Sequence, residues 1–414
     1  MLPDEVARAA EAAQREHWGR VLAGTLRLAR DLDIAEEATA DAFLLALQTW
    51  PRTGVPDSVE AWLLTTARRR AIDKIRRAAT LRDRLAQLAA TEPSVAAAAD
   101  TVITGPVVWD DELRLVVMCC HPALSTEAQV ALTLRLGCGA PTAAVASAFL
   151  VSEATMAARL TRAKRRIAGS GRGVELPDDD AVEDRLAAVR RVVHLAYSMG
   201  HTAGTGSDLR DDELAGRAVR LARSLHALRP TDPETAGLLA VLLLTEARAP
   251  TRIGSAGVQT LLADADRSSW DAALLEEGRR LEVLSRPRGK PGPFALQAGI
   301  AAEHASAPTF ERTDWARVVE LYDALLALEP SPTVALGRCL ALSYICGAAS
   351  GLTDLDEVIA VGRLDGYPYA HAARAQLLDR LDRTPESRRA WIRAASCART
   401  TAEREFFTAR AAGD

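Results

Sequence analysis

Apolar residues return every three or four positions along nearly the whole chain. No run alternates β-branched and polar residues between turn signals, so the pattern predicts an all-α protein. Through residues 4–30 the apolar stripe is Val6, Trp18, Val21, Leu22, Leu26 and Leu28. The next stretch, DLDIAEEATADAFLLALQTWP, opens with acidic side chains at Asp31, Asp33, Glu36, Glu37 and Asp41. Apolar Phe43, Leu44 and Leu47 follow, and Pro51 is expected to end the helix. A turn, TGVPDS, leads into VEAWLLTTARRRAIDKIRRAATLRDR. There Trp62, Leu63, Ala67, Ala71, Ile72 and Ile75 trace a buried stripe, while Arg68, Arg69, Arg70, Lys74, Arg76 and Arg77 crowd the other faces.

Residues 79–109, with the run VAAAAD and Pro93, Gly105 and Pro106, have the composition of a linker. Residues 110–136 predict two helices broken at Pro122, the second starting near Ser125 and Gln129. Then PTAAVASAFLVSEATMAARLTRAKRRI, 141–167, reads as two short helices about a tight turn. Thr142 is expected to cap the first, whose inner face is Val145, Ala146 and Phe149. Leu150 and Val151 form the turn, Ser152 caps the second helix, and Met156 and Leu160 face inward. Arg159, Arg162, Lys164, Arg165 and Arg166 project elsewhere, which is helix-turn-helix patterning.

From Leu176 the chain changes character. Helices are expected at about 209–229, 232–249, 268–285, 292–307, 312–328, 332–347, 352–363, 369–382 and 385–398, several with proline at an end. WARVVELYDALLALEPSPTVALGRCLALSYICG and YAHAARAQLLDRLDRTPESRRAWIRAAS are similar to tetratricopeptide helix pairs, without a clean repeat period. SMGHTAGTGSD, 198–208, is glycine-rich but lacks the lysine ending of a phosphate loop and is read as a connection.

Length and charge refine this outline. A chain of 414 residues is long for one domain, so two or three are expected. The net charge of −4 conceals local positive patches at Arg68–Arg84 and Arg159–Arg166. Six cysteines form no CxxC pair or zinc spacing, and no secretory signal or long apolar run is present, so a reduced cytoplasmic protein is expected. Cys119, Cys120 and His121 are read as packing rather than metal ligands. The histidines of the second half, His194, His201, His226, His304 and His371, form no HExxH or nucleophile–base set, so no enzymatic activity and no cofactor are expected.

Basic helices suit DNA. The second helix of the 141–167 pair is long enough for a major groove, with guanidinium groups to reach phosphates and guanine edges. The Trp62–Arg77 helix, cationic with an aromatic at its start, suits a strand separated from its duplex. The structural alternatives are a solvated acidic helix start, a core Trp62 with solvated arginines, and a plain helical hairpin.

Three motifs in order, DLDIAEEATADAF, then WLLTTARRRAIDKIRR, then a helix-turn-helix ending RLTRAKRRI, resemble regions 2 and 4 of a bacterial RNA polymerase sigma factor of the sigma-70 superfamily. With CCHPALSTEAQVALTLRL and DGYPYAHAARAQLLDRL, the architecture resembles the extracytoplasmic-function group, in the subgroup with a tetratricopeptide-like C-terminal extension. The resemblance implies region 2 at 1–80, a linker at 81–109, region 4 at 110–170 and a helical, regulatory extension at 176–414. It implies core RNA polymerase, through its β′ clamp helices and β flap, and promoter DNA as partners, with an unknown protein or ligand at the extension and no membrane. Asp31, Glu36, Glu37 and Asp41 would face the clamp helices. Trp62, Arg68, Arg69, Lys74, Arg76 and Arg77 would lie at the −10 element. Ala158, Thr161 and Arg162 would lie over −35 base edges, with Thr155, Arg159, Lys164 and Arg165 near the backbone.

The chain departs from the group's pattern in three places. Arg69 stands where such factors often carry Asn, small Ala157 and Ala158 replace larger polar readers, and Leu150 replaces a turn glycine. A non-sigma helix-turn-helix regulator with a helical-repeat sensor is the first alternative, and an interaction scaffold the second.

Overall fold

The computed structural model describes residues 3–88, 111–149, 151–170, 179–202, 210–252, 259–286, 289–361 and 364–413. Regular structure among them is helical, and the chain forms two compact units, 1–195 and 196–414. The expected turn residue Leu150, the expected loop 203–208 and linker positions 89–109 lie outside the described residues.

In the first unit, helices α1 (Pro3–Ala29), α2 (Leu32–Thr53) and α3 (Val59–Leu88) pack as a three-helix bundle. Val6, Trp18, Val21, Leu22 and Leu26 are buried as the periodicity predicts, but Leu28, two positions past Leu26 and so on the other side of the helix, is 43% exposed. Leu44 and Leu47 likewise point outward, whereas Phe43 stacks on Trp18 at 5.7 Å. Pro51 does not end α2. It sits inside the last turn, and Gly54, at φ +82°, closes the helix three residues later by donating to the Trp50 carbonyl at 3.0 Å. α3 continues to Leu88, so the first ten residues of the expected linker are helical.

α4 (Asp111–Cys119), α5 (Thr126–Leu132), a π turn (Thr133–Gly137), α6 (Thr142–Ala148) and α7 (Glu153–Ala168) form a second module of the same unit. Cys119, Cys120 and His121 are buried in it, and burial pushes the Cys120 thiol up to about 12, so it stays protonated and inert. Ser125 and Ser152 cap α5 and α7 by accepting the amides of Ala128 and Thr155. Thr142 does not cap α6: it is the first helical residue, with Pro141 at the cap position and no side-chain bond. α6 and α7 meet at 102°, and Val145, Ala146, Met156 and Leu160 close their shared core while Phe149 is half-buried.

α8 (Asp179–His201) leads the chain into the second unit, and near its start Arg185 donates to the Val117 carbonyl of α4 at 3.2 Å. The second unit continues with α9 (Asp212–Leu228), α10 (Pro233–Glu246), α11 (Ala272–Ser285), α12 (Pro293–Ser306) and α13 (Trp315–Leu328). Then come α14 (Pro332–Ile345), α15 (Ala348–Ala360), α16 (Pro368–Asp379), α17 (Thr384–Cys397) and α18 (Thr401–Ala412). From α9 to α18 each helix packs on the next in sequence, and α10 packs on α12 as well as on α11. Proline in the first turn starts α10, α12, α14, α16 and α17, where its missing N–H costs nothing. α18 was not expected from the sequence. Thr400 and Glu403 form a capping box at its start, and Phe406 and Phe407 pack it on Trp391 of α17.

Candidate nucleic-acid and polymerase interface

Leu32 and Ala35 must be buried for α2 to pack, and this turns the acids of its first two turns away from the bundle core. Asp31 is the N-cap and accepts the Ile34 amide at 2.9 Å, so it has a local structural role whatever else it meets. Glu37 and Asp41 lie one turn apart and both reach Lys74 of α3, at 2.7 and 3.0 Å. Burial opposes the charge on Lys74, but these two carboxylates outweigh it and raise its pKa.

Asp33 and Glu36 turn instead toward the second module. Glu36 receives Arg135 from the π turn at 2.6 Å on one oxygen and Lys164 from α7 at 3.1 Å on the other, and Lys164 also pairs with Asp33. The side chains of Glu36, Arg135 and Lys164 are only 16%, 22% and 18% exposed. Burial again opposes the lysine's charge, and Asp33 and Glu36 raise the pKa of Lys164 above its ordinary value. The sequence has no local signal for this cluster, because its members are some hundred residues apart.

Tight backbone packing accompanies the ion pairs. A Cβ on Gly19 of α1 would lie 2.4 Å from the Gly137 carbonyl oxygen, so only glycine permits that approach. Beside it Gly139, at φ +67°, lies flat against the Trp18 ring, and the Arg135 guanidinium covers that ring at 5.3 Å. Arg27 reaches Asp111 at 3.3 Å at the edge of the same contact. The two modules of the first unit are thus docked through α1 and α2 on one side and α4, the π turn and α7 on the other.

The other basic positions are open. Arg68, Arg69, Arg76 and Arg77 lie exposed along α3, about two to four turns beyond Trp62. Trp62 is half-buried, edge-on to the buried Trp50 at 5.6 Å, and so keeps part of one ring accessible. On α7, Thr155, Ala158, Thr161, Arg162 and Arg165 are exposed, while Arg159 is half-buried and leans toward Glu127 at 3.8 Å. Between α5 and α7 runs a groove of about 390 Å³ lined by Leu124, Ala128, Phe149 and Met156, with Arg159 and Arg162 on its walls. Among the described residues no cluster of His, Cys, Asp and Glu could hold a metal, and no single helix is long and apolar enough to cross a membrane.

Comparison with known proteins gives these two modules their family. Residues 15–80 match sigma-70 region 2 and residues 114–167 match sigma-70 region 4. Residues 185–285 match a family of unknown function, DUF6596. An uncharacterized protein of Rhizobium meliloti (strain 1021) is 39% identical over 393 residues, which are 94% of this chain and 92% of that one. The ECF RNA polymerase sigma factor SigK of Mycobacterium sp. (strain KMS) is 40% identical over 106 residues, 24% of this chain and 51% of SigK. A probable ECF RNA polymerase sigma factor SigI of Mycobacterium tuberculosis (strain CDC 1551 / Oshkosh) is 27% identical over 156 residues, 38% of this chain and 53% of SigI. The crystal structure of yeast Tom70 aligns over 99% of this chain and 85% of that one, with a TM-score of 0.37 and 11% identity. With both sigma-70 regions in order on one compact unit, and the helical extension following, the chain belongs to the sigma-70 family of RNA polymerase sigma factors, in its extracytoplasmic-function group, and serves transcription initiation.

Proposed function

We propose that this sigma factor contacts core polymerase and promoter DNA through its acidic helix and its two basic helices, some of whose charges its own modules now pair with one another. Asp31, Glu36, Glu37 and Asp41 bind the β′ clamp helices. Trp62, Arg68, Arg69, Lys74, Arg76 and Arg77 hold the opened −10 strand, with arginines on phosphates and the free part of the Trp62 ring against a base. Thr155, Ala158, Arg159, Thr161, Arg162, Lys164 and Arg165 lie along the −35 duplex, and the apolar groove between α5 and α7 receives the β flap. The molecule is cytoplasmic and needs no covalent chemistry. Its C-terminal helical unit regulates these contacts in place of a separate inhibitor protein.

One observation carries the reading: Arg135 and Lys164 sit on Glu36, so a −35 residue and a clamp-binding residue neutralise each other. A sigma factor bound to polymerase must expose both at once. The docked first unit is therefore a resting form that opens as core and DNA compete for the same charges. The few partly exposed ion pairs contribute on the order of 1–3 kcal/mol. A nanomolar polymerase complex is worth about 12 kcal/mol and readily displaces them.

Runoff transcription with purified core polymerase tests this. The full chain should give specific initiation, Glu36→Lys should weaken core recruitment, and Arg162→Ala should weaken use of the −35 element. Specific initiation left intact by both substitutions would refute the residue assignments.

A further inference from the structure

The second unit gathers four arginines around the ends of its first helices with few anions to meet them. Arg210 precedes α9, Arg248 and Arg252 flank the 3₁₀ turn after α10, and Arg267 begins the short 3₁₀ turn Arg267–Ser269 ahead of α11. Helix C-termini explain part of this. Arg252 donates to the His201 carbonyl that ends α8, and Arg267 donates to the His304 and Ala307 carbonyls at the end of α12, each at 2.7 Å. Arg210 pairs with Asp212 at 2.6 Å, and Glu246 is already engaged: Arg210 donates to one oxygen at 2.8 Å and the Tyr197 hydroxyl to the other at 2.9 Å.

What remains is an unmet demand for acceptors. Nη1 of Arg210, whose side chain is only 9% exposed, and Nη2 of Arg267 are buried without a hydrogen-bond partner among the described residues. The Arg248 guanidinium has no hydrogen bond or carboxylate partner among the described residues either. It is enclosed by protein yet keeps some surface open to solvent. Burial, with Arg252 and Arg267 nearby, pulls Arg248 down to about 10, so it is still a cation at neutral pH. Burial and the same arginines push His201 to about 2 and His304 to about 4, so both imidazoles are neutral, each with a buried Nδ1 lacking a partner. Tyr197 and Tyr322 lie close enough to Arg248 for their phenols to act on its charge.

A purely structural cluster would not enclose a cation such as Arg248, without an anion among the described residues, beside three further arginines, because desolvation and mutual repulsion both oppose it. A bound anion removes both costs, and guanidinium forks match carboxylate and phosphate oxygens in pairs. We propose that this cluster is a binding site for a small molecule carrying a carboxylate or phosphate group, gripped by Arg248 and Arg252, flanked by Arg210 and Arg267, with Tyr197 and Tyr322 against its body. The site gives the extension a chemical signal to respond to. It lies wholly in the second unit and does not depend on the polymerase and promoter contacts proposed above.

The test is thermal unfolding of the full chain with pyrophosphate or citrate, against sodium chloride at equal ionic strength. A saturable rise in the midpoint of several degrees with either anion is expected, and the one active at lower concentration identifies phosphate or carboxylate chemistry. Arg248→Met should melt about 2–4 °C above the parent in plain buffer, since it removes an unpaired charge, and should lose the response. Should that variant not fold, hydrogen exchange of residues 246–252 in the parent, slowed by the active anion and unaffected by chloride, replaces it. A lower midpoint for Arg248→Met in plain buffer, a response it retains, no response of the parent beyond that to chloride, or a response only to an acidic peptide would each overturn the proposal.

Discussion

Nζ of Lys164, on the recognition helix, lies 3.1 Å from Oε2 of Glu36, on the acidic helix of region 2. The two residues belong to the surfaces proposed above for promoter DNA and for the enzyme. Their pairing in the isolated chain makes the two recognition surfaces mutually exclusive with the docked form. Arg135 occupies the other oxygen of the same carboxylate at 2.6 Å, so Glu36 is the hinge of the contact.

Arg135→Ala should loosen the docked form without touching any residue assigned to DNA or polymerase. It removes the pair with Glu36 and the cation over Trp18, together worth about 1–2 kcal/mol. Hydrogen exchange in α4 and the π turn should speed up by roughly tenfold or more, with α3 unaffected.

Added salt should act in the same direction. At 1 M the screening length falls to about 3 Å, and the partly exposed Lys164–Asp33 and Lys164–Glu36 pairs weaken. A fluorescent pair on α3 and α7 should report increasing separation with salt, and Lys164→Gln should blunt the dependence.

Binding of −35 duplex should depend on Arg162 through a phosphate or base edge. Arg162→Ala should weaken affinity, and a change in salt slope by about 0.9 would mark a phosphate contact, an unchanged slope with relaxed sequence preference a base contact. An unaltered affinity would remove Arg162 from the interface.

Acid should destabilise the second unit through His304. Its folded-state pKa is lowered, chiefly by burial and further by Arg248 and Arg267, to about 4 from 6.5. Above pH 6.5 the residue is neutral whether folded or unfolded and adds nothing. As pH falls below 6.5 the unfolded chain takes up the proton first, so stability declines until about pH 4 and then levels off. Thermal midpoints of the parent and His304→Gln should diverge across that window, and parallel curves would show that His304 does not contribute.

The helices were largely legible because amphipathic periodicity survives in an alanine- and leucine-rich chain: Val21, Leu22, Leu63, Ala67, Met156 and Leu160 are all buried as their spacing implies. Local chemistry was legible where the cap is a serine, as at Ser152, and not where geometry decides, as at Pro51, which a helix tolerates in its last turn. α18 is a short helix with little apolar periodicity of its own, marked only by its capping box at Thr400 and by Phe406 and Phe407. The basic helices could be recognised one by one. The docking of their modules could not, since Gly19 meeting Gly137 and Lys164 meeting Glu36 leave no trace in periodicity. For the same reason no motif sets the arginines of the second unit apart, and the lack of an anion on Arg248 among the described residues appears only in the fold.

Gly19→Leu tests most directly whether the docked form holds back the face proposed to bind polymerase. The new side chain would drive into the Gly137 carbonyl, wedging the modules apart, while leucine suits a helix better than the glycine it replaces. Equilibrium binding of the labelled full chain to core polymerase should tighten by roughly tenfold, the release of about 1.4 kcal/mol. Equal or weaker binding by a variant with unchanged helical content would contradict the account.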